Sequence, residues 1–268
     1  MSQLWYQAQA GLRHTVTATS YYNLHSPFLY QLYQAAFLPA QKHEDPASII
    51  RYRKNLKADK RTFPKTELGA KNRKVQWVTV KEEAARITIP PRYGRLLAFI
   101  VQHLNCKRII ELGTGLGVAT AYLAYGLYHK NPRSNKTLAS IEGCPHTLNA
   151  VKRHWPNAMD AIPQPTFYQG RIDEKLPEVL AQHSPLDLAF IDANHRRAAF
   201  ENYTAAILPY MVGKGVLIAD DIHWSAEMGD AWETLKADSR VRMTVDLYRM
   251  GIAFMDQDLT PVNLRLRF

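Results

Sequence analysis

Glycines at positions 113, 115 and 117 directly follow the apolar run Arg108-Ile109-Ile110-Glu111-Leu112, and they are the residues whose type and spacing say most about chemistry. Without β-carbons at alternate positions, the backbone can bend sharply and approach a ligand more closely than any side chain permits. A strand that enters such a bend and leaves as a helix predicts a nucleotide-cofactor loop, with Glu111, Gly113, Thr114, Gly115 and Gly117 as candidate contacts. Dinucleotide spacing would place the third glycine at position 118, where the chain has Val118. The spacing therefore argues against a diphosphate. Glu142 ends the next apolar run. An acid beyond the carboxyl end of a strand in an open α/β sheet can accept both hydrogen bonds of a ribose diol.

The elements that must position these residues follow from periodicity. Strands are predicted at Arg108 to Leu112, Thr137 to Glu142, Thr166 to Gln169, Leu186 to Asp192, Gly215 to Ala219, Arg242 to Tyr248 and Gly251 to Asp256. Helix-like segments alternate with the first five, which implies a parallel sheet covered on both faces. Only Arg249-Met250 separates the last two strands, so they are expected to form an antiparallel hairpin. Upstream, Ser26-Pro27 caps a helix carrying Phe28, Leu29, Leu32, Tyr33, Ala36 and Phe37. Asp45-Pro46 predicts a second helix through Lys57, with Ile49, Ile50, Tyr52 and Leu56 on its apolar side. Thr62 to Lys74 has no period and is expected to be a loop. A third helix follows Pro90-Pro91 into the first strand, and another is expected from His195 to Leu208.

At 268 residues and 46% hydrophobic content, one large α/β domain with an extension is expected. The division is residues 1–86, helical and basic, and residues 87–268, the cofactor domain. The longest apolar stretches fall short of the roughly 20 residues that cross a bilayer. With no basic-then-apolar leader and only Cys106 and Cys144, the expected setting is a reducing cytoplasm. Of the formal charge of +10, most lies between Arg51 and Lys74, where ten basic residues face two acidic ones. Such a run attracts anions, whether nucleic acid, phosphorylated substrates or acidic lipids. Its position before the cofactor loop predicts a mobile lid that draws an anionic acceptor inward.

An acid ending a strand before Gly-x-Gly-x-Gly resembles motif I of the class I S-adenosylmethionine-dependent methyltransferases. The strand pattern resembles their fold: an α/β, Rossmann-like, seven-stranded sheet with an antiparallel last strand, here with a helical N-terminal extension. The resemblance implies S-adenosylmethionine as cofactor, Glu142 on its ribose, and Gly170, Arg171 and Ile172 in the turn against its adenine. Arg171 stands where many relatives have an acid, and Ala119 where a small hydroxyl residue is common. Ile191-Asp192-Ala193-Asn194-His195 and Ala219-Asp220-Asp221-Ile222 resemble the catechol and caffeoyl-coenzyme A group of metal-dependent O-methyltransferases. So does Pro90-Pro91-Arg92-Tyr93-Gly94-Arg95-Leu96-Leu97, a proline-then-glycine-leucine helix ahead of motif I. That group implies a divalent cation, Mg²⁺ or a similar ion, held by Asp192, Asp220 and Asp221. All-oxygen ligation suits magnesium, calcium or manganese rather than zinc. Two departures stand out: Asp221 replaces an asparagine, and His195 replaces a lysine.

The implied chemistry needs the nucleophile in line with the carbon–sulfur bond and its proton removed. A metal at Asp192 or a nearby imidazole can serve, and His195, on the same rim, is the candidate base. His223 and Trp224 are candidates for the same pocket. The first expectation is therefore methylation of a small-molecule hydroxyl, with an anionic acceptor compatible with the basic run. The second is an RNA methyltransferase acting on tRNA through residues 51–74, and the third is a non-enzymatic cofactor-binding protein. No membrane partner is expected, and a homodimer is compatible with the sequence.

Overall fold

The computed structural model describes residues 3–20, 26–66, 75–128 and 135–268. Helix α1 (Gln3–Thr17) is followed by α2 (Pro27–Leu32), which continues through a π-helical stretch (Tyr33–Phe37) into α3 (Leu38–Lys42), and then by α4 (Ala47–Ala58). Strands β1 (Thr62–Thr66) and β2 (Val75–Thr79) precede α5 (Val80–Ile87) and α6 (Pro91–His103). The alternating region then runs β3 (Arg108–Leu112), α7 (Val118–Tyr128), β4 (Thr137–Glu142), α8 (Pro145–Ala158), β5 (Thr166–Gln169), α9 (Ile172–His183), β6 (Leu186–Ile191) and α10 (Arg197–Ile207). It closes with β7 (Met211–Asp220), α11 (Ala226–Lys236), β8 (Met243–Asp246), β9 (Met250–Phe254) and β10 (Val262–Arg265).

Eight strands make one sheet in the order β10-β8-β9-β7-β6-β3-β4-β5. Only β9 runs against its neighbours, β7 and β8. Consecutive side chains of a strand point to opposite faces, and the central strands fill both faces with apolar groups. Ile109, Leu188, Phe190, Val216 and Ile218 pack on one side with α6, α7 and α8. Ile110, Leu112, Ala189, Ile191, Leu217 and Ala219 pack on the other with α9, α10 and α11. Strand order reverses between the parallel neighbours β3 and β6, so the crevice beyond their carboxyl ends is where an open α/β sheet binds ligands.

The expected seven strands and the β8–β9 hairpin are present, and the eighth, β10, was not foreseen. It adds parallel to β8, and Leu264 on it and Leu266 just after it pack with the core that also holds Val245. Thr62 to Lys74 is not wholly a loop either. Thr62–Thr66 pairs antiparallel with Val75–Thr79, as β-branched and aromatic residues favour, and Phe63 is buried. Helix α5 was also missed, although Thr79 and Glu82 form a reciprocal capping box at its start. Ser26 caps α2 as expected, accepting from the Leu29 N–H. Asp45, by contrast, does not cap α4: it accepts from Arg95 at 2.8 Å, and the cap position falls on Pro46.

The N-terminal helices are built into the sheet-covering layer. Leu32, Phe37, Ile49, Tyr52 and Leu56 share one apolar cluster with Leu96, Tyr122 and Trp155. The Tyr52 hydroxyl donates to the Leu116 carbonyl at 3.0 Å, which ties α4 to the glycine turn. Helix α1 reaches the far side of the crevice, where Gln7 donates to the Trp224 carbonyl and accepts from the Tyr248 hydroxyl. This placement corrects half of the expected lid. Arg51 is fixed by Asp160 and the Ala158 carbonyl, and Arg53 donates to the Ile89 carbonyl. Lys71, Arg73 and Lys74 lie outside the described residues. Among the described residues no helix is long and apolar enough to cross a membrane.

Candidate active site

The carboxyl ends of β3 to β7 open on a cavity of about 620 Å³. Gly113 begins its floor with φ +97°, a conformation that L side chains rarely adopt. Its N–H and that of Thr114 both donate to the Ile141 carbonyl, at 3.0 and 3.2 Å, which pins the turn against β4. Glu142 holds the same turn from above: one carboxylate oxygen accepts from the Gly115 N–H and the other from the Cys144 N–H, each at 2.7 Å. An ionised carboxylate offers about four acceptor sites, so this clamp leaves capacity for a ligand diol. A β-carbon on Gly115 (φ +53°) would lie 3.1 Å from Ile87 Cδ1, across the cavity. The glycine therefore preserves a cradle that a side chain would fill.

Gly113, Thr114, Gly115, Glu142, Arg171, Ile172, Asp192 and His195 all line the cavity. Glu111, Gly117 and Gly170 do not. The Gly117 N–H closes the turn onto the Thr114 carbonyl at 2.8 Å, and a β-carbon there would meet Tyr52 and Val151, so its place is in packing. Gly170 turns the chain ahead of Arg171 at φ +147°.

Glu111 lies fully buried behind the turn, accepting from Thr120 and Ser140, while Oε1 has no hydrogen-bond partner. Burial pushes its carboxyl from the ordinary 4.5 up to about 7, against those two hydrogen bonds and with a smaller push from Glu142. The folded chain thus binds a proton that the unfolded chain releases. Stability from this group is complete below pH about 4.5 and is lost as pH rises through about 7, by roughly 3 kcal/mol in all. Glu111→Gln is expected to flatten that part of the stability–pH curve in urea unfolding of the cofactor-free protein. An unchanged slope would contradict the assignment.

At the other end of the cavity, Asp192 and Asp221 flank His195, whose Nε2 is 3.8 Å from Asp192 Oδ1 and 3.8 Å from Asp221 Oδ2. Asp192 is set by its backbone N–H, which donates to the Leu112 carbonyl at 2.9 Å, and Asp221 by a left-handed backbone at φ +53°. His195 lies before α10, which begins at Arg197 rather than at His195 as expected. Burial, then the charges of Asp220 and Asp221, hold Asp192 well above the ordinary carboxylate range.

Asp220 does not join Asp192 and Asp221 on the cavity wall. Its side chain is fully buried and is gripped by Arg249 through Nε and Nη2, at 3.1 and 2.9 Å. Burial and Asp221 raise Asp220, and Arg249 works against both. Among the described residues no group of three or more His, Cys, Asp or Glu could hold a metal ion. The expected donor set Asp192, Asp220 and Asp221 therefore does not fit a divalent cation. A cationic side chain already serves its most buried member.

Sequence reasoning missed Arg249, Glu83, Arg86, Cys144, Thr147 and Tyr203, all of which line the cavity. The hairpin of β8 and β9 was legible, although its link is Leu247 to Arg249 rather than Arg249-Met250, and nothing in it signals that Arg249 turns toward Asp220. The Thr79–Glu82 capping box could have revealed α5, which carries Glu83 and Arg86 to the wall. Trp224 lines the cavity beside His195, with ring centroids 5.9 Å apart. His223 points elsewhere and bonds Asp246 at 2.9 Å.

Residues 110–222 match a family described as a methyltransferase domain. A protein of Mycolicibacterium vanbaalenii, provisionally named an O-methyltransferase, is 29% identical over 183 residues, which cover 66% of this chain and 73% of that protein. Among solved structures, the O-methyltransferase TomG of Streptomyces achromogenes, in complex with S-adenosylmethionine, superposes with a TM-score of 0.59 at 15% identity, covering 82% of this chain and 94% of that one. The O-methyltransferase of Bacillus cereus, in complex with S-adenosylhomocysteine, gives 0.56 at 15% identity, covering 83% and 99%. In sequence over residues 110–222, and in fold over most of its length, the chain is similar to methyltransferase domains.

Proposed function

We propose that the protein transfers the methyl group of S-adenosylmethionine to a hydroxyl of a small molecule. One observation carries this reading: the Gly113–Gly117 turn with Glu142, and the Asp192–His195–Asp221 rim, open on the same cavity. The residues fit the cofactor. Gly115 keeps the cradle free of a β-carbon, Glu142 presents a carboxylate for a ribose, and Arg171 to Asp173 form the adjoining wall. When bound, the cofactor supplies an electrophilic methyl group on a sulfonium.

The chain's own task is to orient the acceptor and receive its proton. As the acceptor's O–H bond breaks, the proton would pass to the His195 imidazole, leaving the oxygen electron pair for the methyl group that the cofactor would supply. Asp192 and Asp221 orient the imidazole from either side. Trp224 offers an aromatic face at the rim. Arg86, paired at 3.1 Å with buried Glu83 and itself half-exposed on the wall, suits an acceptor that carries a carboxylate or phosphate. In this reading residues 1–86 are an acceptor-side extension of the catalytic domain, residues 87–268.

The test is transfer from cofactor carrying a deuterated methyl group to a panel of phenols and hydroxy acids, read by mass spectrometry. The reading expects the label on oxygen. Label on nitrogen or carbon alone, or no transfer by protein that binds S-adenosylhomocysteine, would contradict it.

A further inference from the structure

We infer that Arg249 is the resident cation of the acceptor site, standing where related enzymes would use a divalent metal; the inference rests on the methyl-transfer reading above. Three carboxyl groups converge at the ends of β6 and β7: Asp192 and Asp221 on the cavity wall and Asp220 buried beside them. Left without a counter-charge, such a cluster would be costly, because a buried carboxylate lacking a partner loses several kcal/mol of hydration. Protonation can relieve part of that cost, and a cation can relieve the rest. The structure supplies one from the chain itself.

Arg249 comes from the β8–β9 turn. Its planar fork meets Asp220 through two nitrogens, the bidentate geometry that guanidinium provides. Nη2 also stands 3.8 Å from Asp221 Oδ1, so one guanidinium faces both acids of the pair. Burial lowers the basicity of Arg249, but Asp220, Asp221 and Asp192 more than offset this. A divalent ion would need carboxylate oxygens at about 2.0–2.6 Å. Asp220 is fully buried against Arg249, whose own charge would repel the ion.

The same guanidinium lines the cavity with its side chain one-third exposed, and Nη1 makes no hydrogen bond among the described residues. That guanidinium and His195 line the same cavity. There Arg249 can stabilise negative charge on the acceptor oxygen as its proton leaves, the task a Lewis acid would otherwise perform. Asp220 is then a positioning residue that aims Arg249. It is not a ligand.

The full-length protein, stripped with EDTA, is titrated with S-adenosylhomocysteine by calorimetry and separately with Mn²⁺ by electron paramagnetic resonance. Failure to bind S-adenosylhomocysteine would sink the cofactor reading and leave the Mn²⁺ result to stand alone. The wild type is expected to leave the free Mn²⁺ signal intact, and so is Arg249→Lys, which keeps the charge. Arg249→Gln frees the three carboxylates and is expected to remove that signal in proportion to the protein added. Saturable Mn²⁺ binding by the wild type, lost in Asp221→Asn, would overturn the inference even if Arg249→Gln failed to fold. So would an Arg249→Gln protein that binds S-adenosylhomocysteine normally yet leaves Mn²⁺ free.

Discussion

Replacing His195 by Ala is expected to lower methyl-transfer turnover by about 10²–10⁴-fold, the range that a positioned general base contributes. The imidazole is placed for this by two carboxyl groups, each 3.8 Å from Nε2, and by the Trp224 ring beside it. These neighbours fix where the ring stands at the rim. The loss should fall on turnover, with S-adenosylhomocysteine affinity unchanged, because His195 lies at the acceptor end of the cavity. A second signature separates a base from a packing residue. The variant's rate should climb with pH, as ionised acceptor replaces the missing base. Kinetics on the acceptor found by label transfer provide the check, and near-wild-type turnover in a folded His195→Ala protein would remove it from the chemistry.

Gly113→Ala is expected to destabilise the fold by about 4 kcal/mol, which for a chain of this size is roughly a 10 °C fall in Tm. Two costs add. The backbone sits at φ +97°, and an added β-carbon would stand 2.0 Å from the Asp192 carbonyl oxygen and 2.8 Å from its carbon. Both are backbone atoms at the end of β6, held by the bond from Asp192 N–H to the Leu112 carbonyl, so β3 and β6 would have to part at the point where the cavity begins. Gly213→Ala is the control, since nothing lies within 4 Å of a β-carbon there. Its effect should stay within about 0.5 kcal/mol. Calorimetric melting of both variants distinguishes a local clash from a general sensitivity to glycine loss.

The sheet was legible because its central strands are apolar on both faces, and because Glu111-x-Gly-x-Gly-x-Gly and Glu142 fall at strand ends, where backbone geometry dictates residue type. Strand β10 was not, since an edge strand of four residues leaves only the brief alternation of Val262 and Leu264. The strand Thr62–Thr66 was hidden by Pro64, which an edge tolerates and a central strand would not. At the site, position along the chain correctly brought Asp192, His195 and Asp221 together. It did not reveal that Asp220 turns inward. Neighbours in a strand face opposite ways, and the partner that fixes the choice, Arg249, comes from a hairpin 29 residues later. Glu111 shows the same limit: its place in the motif was read correctly, while its burial behind the turn depends on Thr120 and Ser140 from two other elements.

The central claim is that the cavity between the Gly113–Gly117 turn and Glu142 holds S-adenosylmethionine, and calorimetric titration with S-adenosylhomocysteine tests it most directly. Wild-type protein is expected to bind one equivalent. Gly115→Val should lose most of that affinity while remaining folded, because its branched side chain would occupy the space facing Ile87. Undiminished affinity in a folded Gly115→Val protein, or no binding by the wild type, would contradict the account.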